Sequence, residues 1–315
     1  MALYKYVLAD RIDVLQNRLI RFSQPSALND PWEMKPHIKT LLGDELIERN
    51  LAKPMRERTD DVLVEEMAKI LGEVLRQNNF GNFSHDQLKT LLVEANTQFP
   101  GEIRTLFAES TGEALEQFKS LMPEITSTIP AAIDTAIGIL SLTEKPDHPL
   151  MWSHYANNHA GLVIEFDEGH EFFAEQKEIS PKVSGLHKVI YSRERPTFET
   201  LLDTDLMEGG EEKQAEWLEK MFFTKSKEWE YEQEWRMIKP LKKADRIIEL
   251  AEGNVHLFAL PPVSITGLIL GEKMRSETRA SIINTVAKDD GYSHLTISEA
   301  VSDNTAYAMK IRKIR

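Results

Sequence analysis

The 315-residue chain has no cysteine. That absence excludes disulfides, thiolate metal sites and cysteine nucleophiles, and it fits a reducing compartment, so the expected location is cytoplasmic. Long apolar runs are missing too. Nowhere do about 18 apolar residues occur together, and the opening MALYKYVLADRIDVL has no charged region followed by an apolar stretch, so a soluble protein without a membrane partner is expected. Positive charge is in short supply, with 38 Lys and Arg against 51 Asp and Glu and a net charge of −13. This balance argues against broad non-specific binding to nucleic acid. A local basic patch would still allow such a partner, but nothing indicates one. The sequence also lacks internal repeats and low-complexity tracts.

What the chain does have is a hydrophobic fraction of 41%, ample for a sizeable core. Its most distinctive stretch is KEWEYEQEWRMIKP, Lys227 to Pro240, which reads as a strand. At a period of two, Glu232, Glu234 and Arg236 share one face and Tyr231, Trp235 and Met237 the other. Two carboxylates and a guanidinium in a row suit a site, and they suit equally a solvated face held by weak surface ion pairs. At the start, Leu3 to Val7 reads as a strand with Tyr4 and Tyr6 on one face and Lys5 on the other. A second strand, Leu19 to Ser23, runs into QPSALNDPWEMKP. Its three prolines and its Asn29-Asp30-Pro31 turn signal make it a loop, either a site wall or a structural Asx turn.

From residue 40 to residue 135 the composition turns to Leu, Glu, Ala, Lys and Gln at helical spacing, for example Val64, Met67, Ile70, Leu71 and Val74. The segment reads as a large all-helical insertion between 1–39 and 136–315, which together form an α+β core with a mixed or mostly antiparallel sheet. After it, Ile137 to Leu142 is a strand, Pro149 opens a short helix carrying Trp152 and Tyr155, and Leu162 to Phe166 is a strand. His148, His154 and His159 are spaced six and five apart, which does not bring them to one helix face, so no metal is expected. A helix over Gly210 to Thr224, an apolar strand at Ile265 to Gly271, a helix over Glu277 to Lys288 and a final hairpin complete the pattern.

Together, LYKY, RFSQPSALNDPWE, SLTEKPDHPLMWSHYANNHAGLVIEF, VIYS and EWEYEQEWR resemble the bacterial family catalogued as domain of unknown function 2971. More distantly, the opening strand and the strand-borne glutamate resemble the ADP-ribosyltransferase superfamily. That second resemblance implies NAD as co-substrate, with Glu234 stabilising the ribosyl cation and Glu232 orienting the nucleophile. It implies Lys5 as a phosphate anchor, although such enzymes carry His or Arg there. Tyr6, Trp152 and Tyr155 become stacking surfaces for nicotinamide. Asn29 and Arg236 join them as cofactor-binding residues, Arg236 either on a phosphate or paired with a glutamate.

Three functions stay open at this point. The first is an NAD-dependent ADP-ribosyltransferase or glycohydrolase of phage defence or a toxin system, its macromolecular acceptor unspecified. The second is a non-catalytic module in which the helical insertion docks a protein partner. The third is a nuclease holding Mg²⁺ on Asp30, Glu33, Glu232 and Glu234.

Overall fold

Burial alternates along the opening strand, where Leu3 is fully buried on one side and Tyr6 nearly so on the other, as a strand covered on both faces requires. The computed structural model describes residues 1–42, 84–98, 127–174, 183–202, 210–251 and 253–314, with shorter pieces between 53 and 123. In chain order the strands are β1 (Ala2–Val7), β2 (Leu19–Phe22), β3 (His37–Leu42), β4 (Ile137–Thr143), β5 (Leu162–Asp167), β6 (Leu186–Lys188), β7 (Ile190–Ser192), β8 (Thr197–Leu202), β9 (Thr224–Ser226), β10 (Glu234–Pro240), β11 (Arg246–Ile248), β12 (Val255–Ala259), β13 (Ile265–Leu270), β14 (Thr296–Ser302) and β15 (Met309–Lys313). The helices used below are α1 (Asp13–Asn17), α2 (His85–Gln98), α3 (Pro149–Tyr155), α4 (Gly210–Phe223) and α5 (Ser276–Lys288).

An eight-stranded mixed sheet runs in the order β15-β14-β13-β5-β1-β4-β10-β6. Only β13 and β14 are parallel within it, joined through α5, and its other pairs are antiparallel. One face packs Leu3, Leu140, Leu142, Ile164, Phe166, Met237, Leu268 and Leu270 against α1 and α5. The other packs Tyr6, Val163, Ile269 and Ala300 against Met151 and Trp152 of α3. The period of two thus explains which residues of β1, β5 and β13 serve which layer. Pro149 starts α3 because a first-turn proline forfeits no helix hydrogen bond.

Contacts divide the chain into two compact units. The first comprises Met1–His37, Ile129–Thr197 and Gly210–Arg315 and holds the large sheet; the second comprises Ile38–Thr128 and Phe198–Gly209. Within the second, α2 buries Leu88, and Glu65 bonds His85 at 2.9 Å and Lys89 at 2.8 Å. The expected insertion is not all helix among the described residues. β3 extends into it and pairs with β8, because alternating HIKTLL and TFETLL supply two strand-forming segments to one ribbon. Most of the remaining helical expectation there, including Met67, Ile70, Leu71 and Val74, lies outside the described residues. Among the described residues no helix is long and apolar enough to cross a membrane.

The stretch 227–240 departs from the single strand expected. Lys227–Glu232 is a 3-10 turn, Gln233 is left-handed with φ 43°, and only Glu234–Pro240 is strand. Alternating Glu and aromatic residues satisfy a three-residue period as easily as a two-residue one over so short a run, so the pattern does not decide between them.

Candidate functional site

The large sheet is nearly continuous from strand to strand, except between β1 and β4. β1 pairs with β5 along its whole length and β4 pairs with β10 along its whole length, yet β1 and β4 meet only at Tyr4 and Thr143. Farther along β4, Ser23 takes its edge by bridging Ile139. Lys5 reaches across the opening, its Nζ donating to Ser141 O at 2.9 Å. A cavity of about 210 Å³ occupies this crevice, lined by residues that include Tyr4, Lys5, Tyr6, Asn29, Glu33, Ser141, Thr143, Tyr155, Lys225, Glu232 and Glu234.

Behind its wall lies a buried ion cluster. Arg236 is 0% exposed and grips Glu234 with two bonds, Nε to Oε1 at 2.9 Å and Nη2 to Oε2 at 3.1 Å. Its Nη1 donates to Phe222 O at 2.8 Å, and Nη2 also meets Glu33 Oε1. Lys225 Nζ donates to Glu232 Oε2 at 2.6 Å and Glu234 Oε2 at 2.9 Å, with Glu33 at 3.6 Å. The left-handed Gln233 makes this possible: it turns the chain so that the carboxylates on either side of it reach the same ammonium. At the cavity, Tyr155 Oη donates to Glu232 Oε1 at 2.5 Å and Asn29 Nδ2 donates to Tyr155 Oη at 2.6 Å. Thr143 Oγ1 donates to Glu232 O, and Lys145 N donates to Thr143 Oγ1 at 2.9 Å.

Electrostatics follow from this burial. Burial raises the Glu234 carboxyl, opposed by Lys225. Burial alone would lower Lys225, but Glu234 and Glu232 more than reverse it and hold the ammonium charged. Lys5 is brought down to about 8 by burial, resisted by Glu234. Burial and then Glu232 raise the Tyr155 phenol, which therefore stays a proton donor to Glu232.

Residues 151–237 match the family model described as Protein of unknown function (DUF2971). The match runs from α3 to β10 and so includes Tyr155, Lys225, Glu232, Glu234 and Arg236, but not Lys5, Asn29 or Glu33. No curated protein and no solved structure matches the chain.

Of the eight residues named for the NAD reading, six, Glu234, Glu232, Lys5, Tyr6, Tyr155 and Asn29, line the one cavity, as does Glu33 of the nuclease reading. Two do not. Trp152 is fully buried beneath it, edge-on to Tyr6 at 5.3 Å with its Nε1 donating to Pro146 O, so it supports the wall rather than offering a stacking face. Arg236 takes the alternative of pairing with a glutamate, as a buried rather than a surface pair, its fork filled by Glu234, Glu33 and Phe222 O. Asp30 forms the Asx turn considered for this loop, accepting from Trp32 N at 3.0 Å, whereas Asn29 turns to Tyr155.

Sequence reasoning misses Lys225. It sits on β9, which the period does not mark, and only its pairing in parallel with β7 carries it under Glu232 and Glu234. Of the oxygen ligands of the nuclease reading, Glu33, Glu232 and Glu234 are paired with cations already and Asp30 accepts from Trp32 N, and among the described residues no group of three or more His, Asp or Glu is disposed to hold a metal ion. Chemically, the cavity offers a carboxylate and phenol in hydrogen-bond contact, a lysine amine titrating near 8 and two tyrosine side chains.

Proposed function

We propose that the crevice between β1 and β4 is the reaction site of a group-transfer enzyme that consumes NAD, with Glu232 rather than Glu234 as its working carboxylate. The observation that carries this reading is the Tyr155–Glu232 contact on the cavity wall, backed by Lys225. Glu234 is held by two cations, Arg236 and Lys225, whereas Glu232 meets one cation and the neutral Tyr155 phenol, so the part given to Glu234 is to fix Lys225 beneath Glu232. The volume of about 210 Å³ is below the roughly 300 Å³ at which drug-sized pockets begin. It suits the nicotinamide-riboside end of the molecule, with the adenylate half outside the crevice.

In the step proposed, the bond between the nicotinamide nitrogen and the ribosyl carbon breaks and its electron pair leaves with neutral nicotinamide. The acceptor, water or a macromolecular nucleophile, bonds to that carbon and passes its proton to Glu232. A carboxylate placed at the developing sugar cation stabilises it more than the ground state. Tyr155 and Lys225 hold Glu232 in one orientation, which is the preorganisation such a step needs.

The test is release of free nicotinamide from NAD by wild type, Glu232→Gln and Tyr155→Phe, with each variant's fold checked by circular dichroism. Wild type is expected to turn over, Glu232→Gln to lose about 10²–10⁴-fold in rate, and Tyr155→Phe to lose less. An inactive wild type, or an unimpaired Glu232→Gln, removes the enzyme reading. One observation favours a second reading, a sensing module that binds without turnover: all four oxygens of Glu232 and Glu234 already hold protein donors. Calorimetric binding of NAD with no nicotinamide release is its signature.

A further inference from the structure

A second cavity, of about 200 Å³, backs onto the first. Its lining includes Asp30, Trp32, Glu33, Arg193, Arg195 and Lys225, so Glu33 and Lys225 line both spaces. The two ends of this second cavity differ in burial. Asp30, Glu33 and Lys225 are 3–5% exposed, whereas Arg193, Arg195 and Trp32 are exposed, Trp32 at 61%, and Arg195 donates one Nη2 bond to Lys35 O at 2.6 Å. The cavity therefore has a buried floor of two carboxylates and the Lys225 ammonium, and an open mouth bearing two guanidinium groups and an indole.

Two observations show what the floor lacks. The Glu33 side chain is only 1% exposed, and its Oε2 has no hydrogen-bond partner. A buried carboxylate oxygen left so costs about 1–3 kcal/mol, and native structures seldom leave one without reason. In addition, the carboxyl groups of the joined cluster outnumber its cations: Asp30, Glu33, Glu232 and Glu234 stand against Lys5, Lys225 and Arg236. Buried charge of one sign calls for a counter-charge or a proton. A ligand ammonium at Glu33 would supply both the missing donor and the missing charge.

We propose that the second cavity binds a small zwitterion of the amino-acid class, with its ammonium against Glu33 and Asp30 and its carboxylate toward Arg193 and Arg195 at the mouth. The space is that of roughly seven waters at about 30 Å³ each, which fits a molecule of this size. A guanidinium is well matched to a carboxylate because its planar fork donates two parallel bonds. The proposal does not rest on what occupies the first cavity.

The experiment titrates the whole protein with the common amino acids one at a time, by differential scanning fluorimetry and then calorimetry. For the one that binds tightest, its N-acetyl derivative and its decarboxylated amine are titrated in turn. At least one free amino acid is expected to raise the unfolding midpoint, with N-acetylation weakening binding about ten-fold or more. Arg193→Ala is expected to weaken the amino acid while leaving the decarboxylated amine unchanged. Glu33→Gln is expected to weaken both; because Glu33 also meets Arg236 in the core, the exposed Arg193→Ala keeps the proposal testable if that variant does not fold. No midpoint shift with any free amino acid, an N-acetyl form that binds as tightly as its parent, or an Arg193→Ala protein that binds both compounds like wild type overturns it.

Discussion

Arg236 is fully buried, because α4 and the Pro25–Pro36 loop pack over β10 from far along the chain. The consequence is energetic. An exposed pair contributes up to about 1 kcal/mol, whereas removing one partner of a buried pair costs about 3–5 kcal/mol, since the other charge is left uncompensated. Arg236→Met is therefore expected to lower the unfolding free energy by about 3–5 kcal/mol in urea denaturation. Arg236→Lys should also destabilise, because an ammonium cannot reproduce the fork on Glu234. A loss below about 1 kcal/mol for either would show that the cluster is not an ion pair in solution. Lys5 gives a pH prediction. Its folded pKa of about 8 lies under the unfolded value of about 10.4, so between these the unfolded chain binds more protons than the fold. Stability from this group accordingly rises with pH across that window, by about 3 kcal/mol, and the deficit is fully present below pH 8. The Lys5→Met profile should be flatter than wild type between about pH 8 and 10; parallel profiles would place the titration elsewhere.

At the scale of elements, the strands β1, β4, β5 and β13 are readable because both sheet faces are apolar and the period of two is strong in each. The turn over Lys227–Glu232 is not, since its alternating Glu and aromatic side chains satisfy either geometry. Its hinge is Gln233, held at φ 43° and ψ 55°, a region that costs a side chain with a Cβ about 1–2 kcal/mol. Gln233→Gly should consequently leave stability unchanged or raise it by up to about 1 kcal/mol, and Gln233→Val should lower it by more than that. Thermal midpoints of the pair decide the matter: a destabilised Gly variant would mean that the Gln233 side chain, not the backbone, sets the turn. A related constraint joins β5 to β13. A Cβ on Gly271 would stand 2.2 Å from His159 O and 2.7 Å from Gly161 O, both backbone atoms that cannot swing aside. Gly271→Ala is expected to cost about 1–3 kcal/mol, and a neutral result would show that the loop at His159 yields.

For the whole molecule, the sequence reveals an α+β protein but not the order of its sheet. The strand beside β1 on one side is β5 and on the other β4, both more than a hundred residues away, and no local signal selects such partners. The crevice that forms the cavity exists only because β1 and β4 fail to pair beyond Tyr4 and Thr143, which is a property of that order. Net charge, by contrast, needs no fold to be read. A surface carrying a net −13 repels a duplex, and the arginines at the second cavity share its mouth with Glu194 and its floor with Asp30 and Glu33. Fluorescence anisotropy of a labelled duplex should therefore show no binding at physiological salt, and at low salt any binding should be weak and unaffected by Arg193→Ala. A tight complex whose logarithmic affinity falls steeply with logarithmic salt would count several phosphates neutralised at once. That outcome would require a local basic face that outweighs the net charge and would turn the search for a substrate from small molecules to nucleic acid.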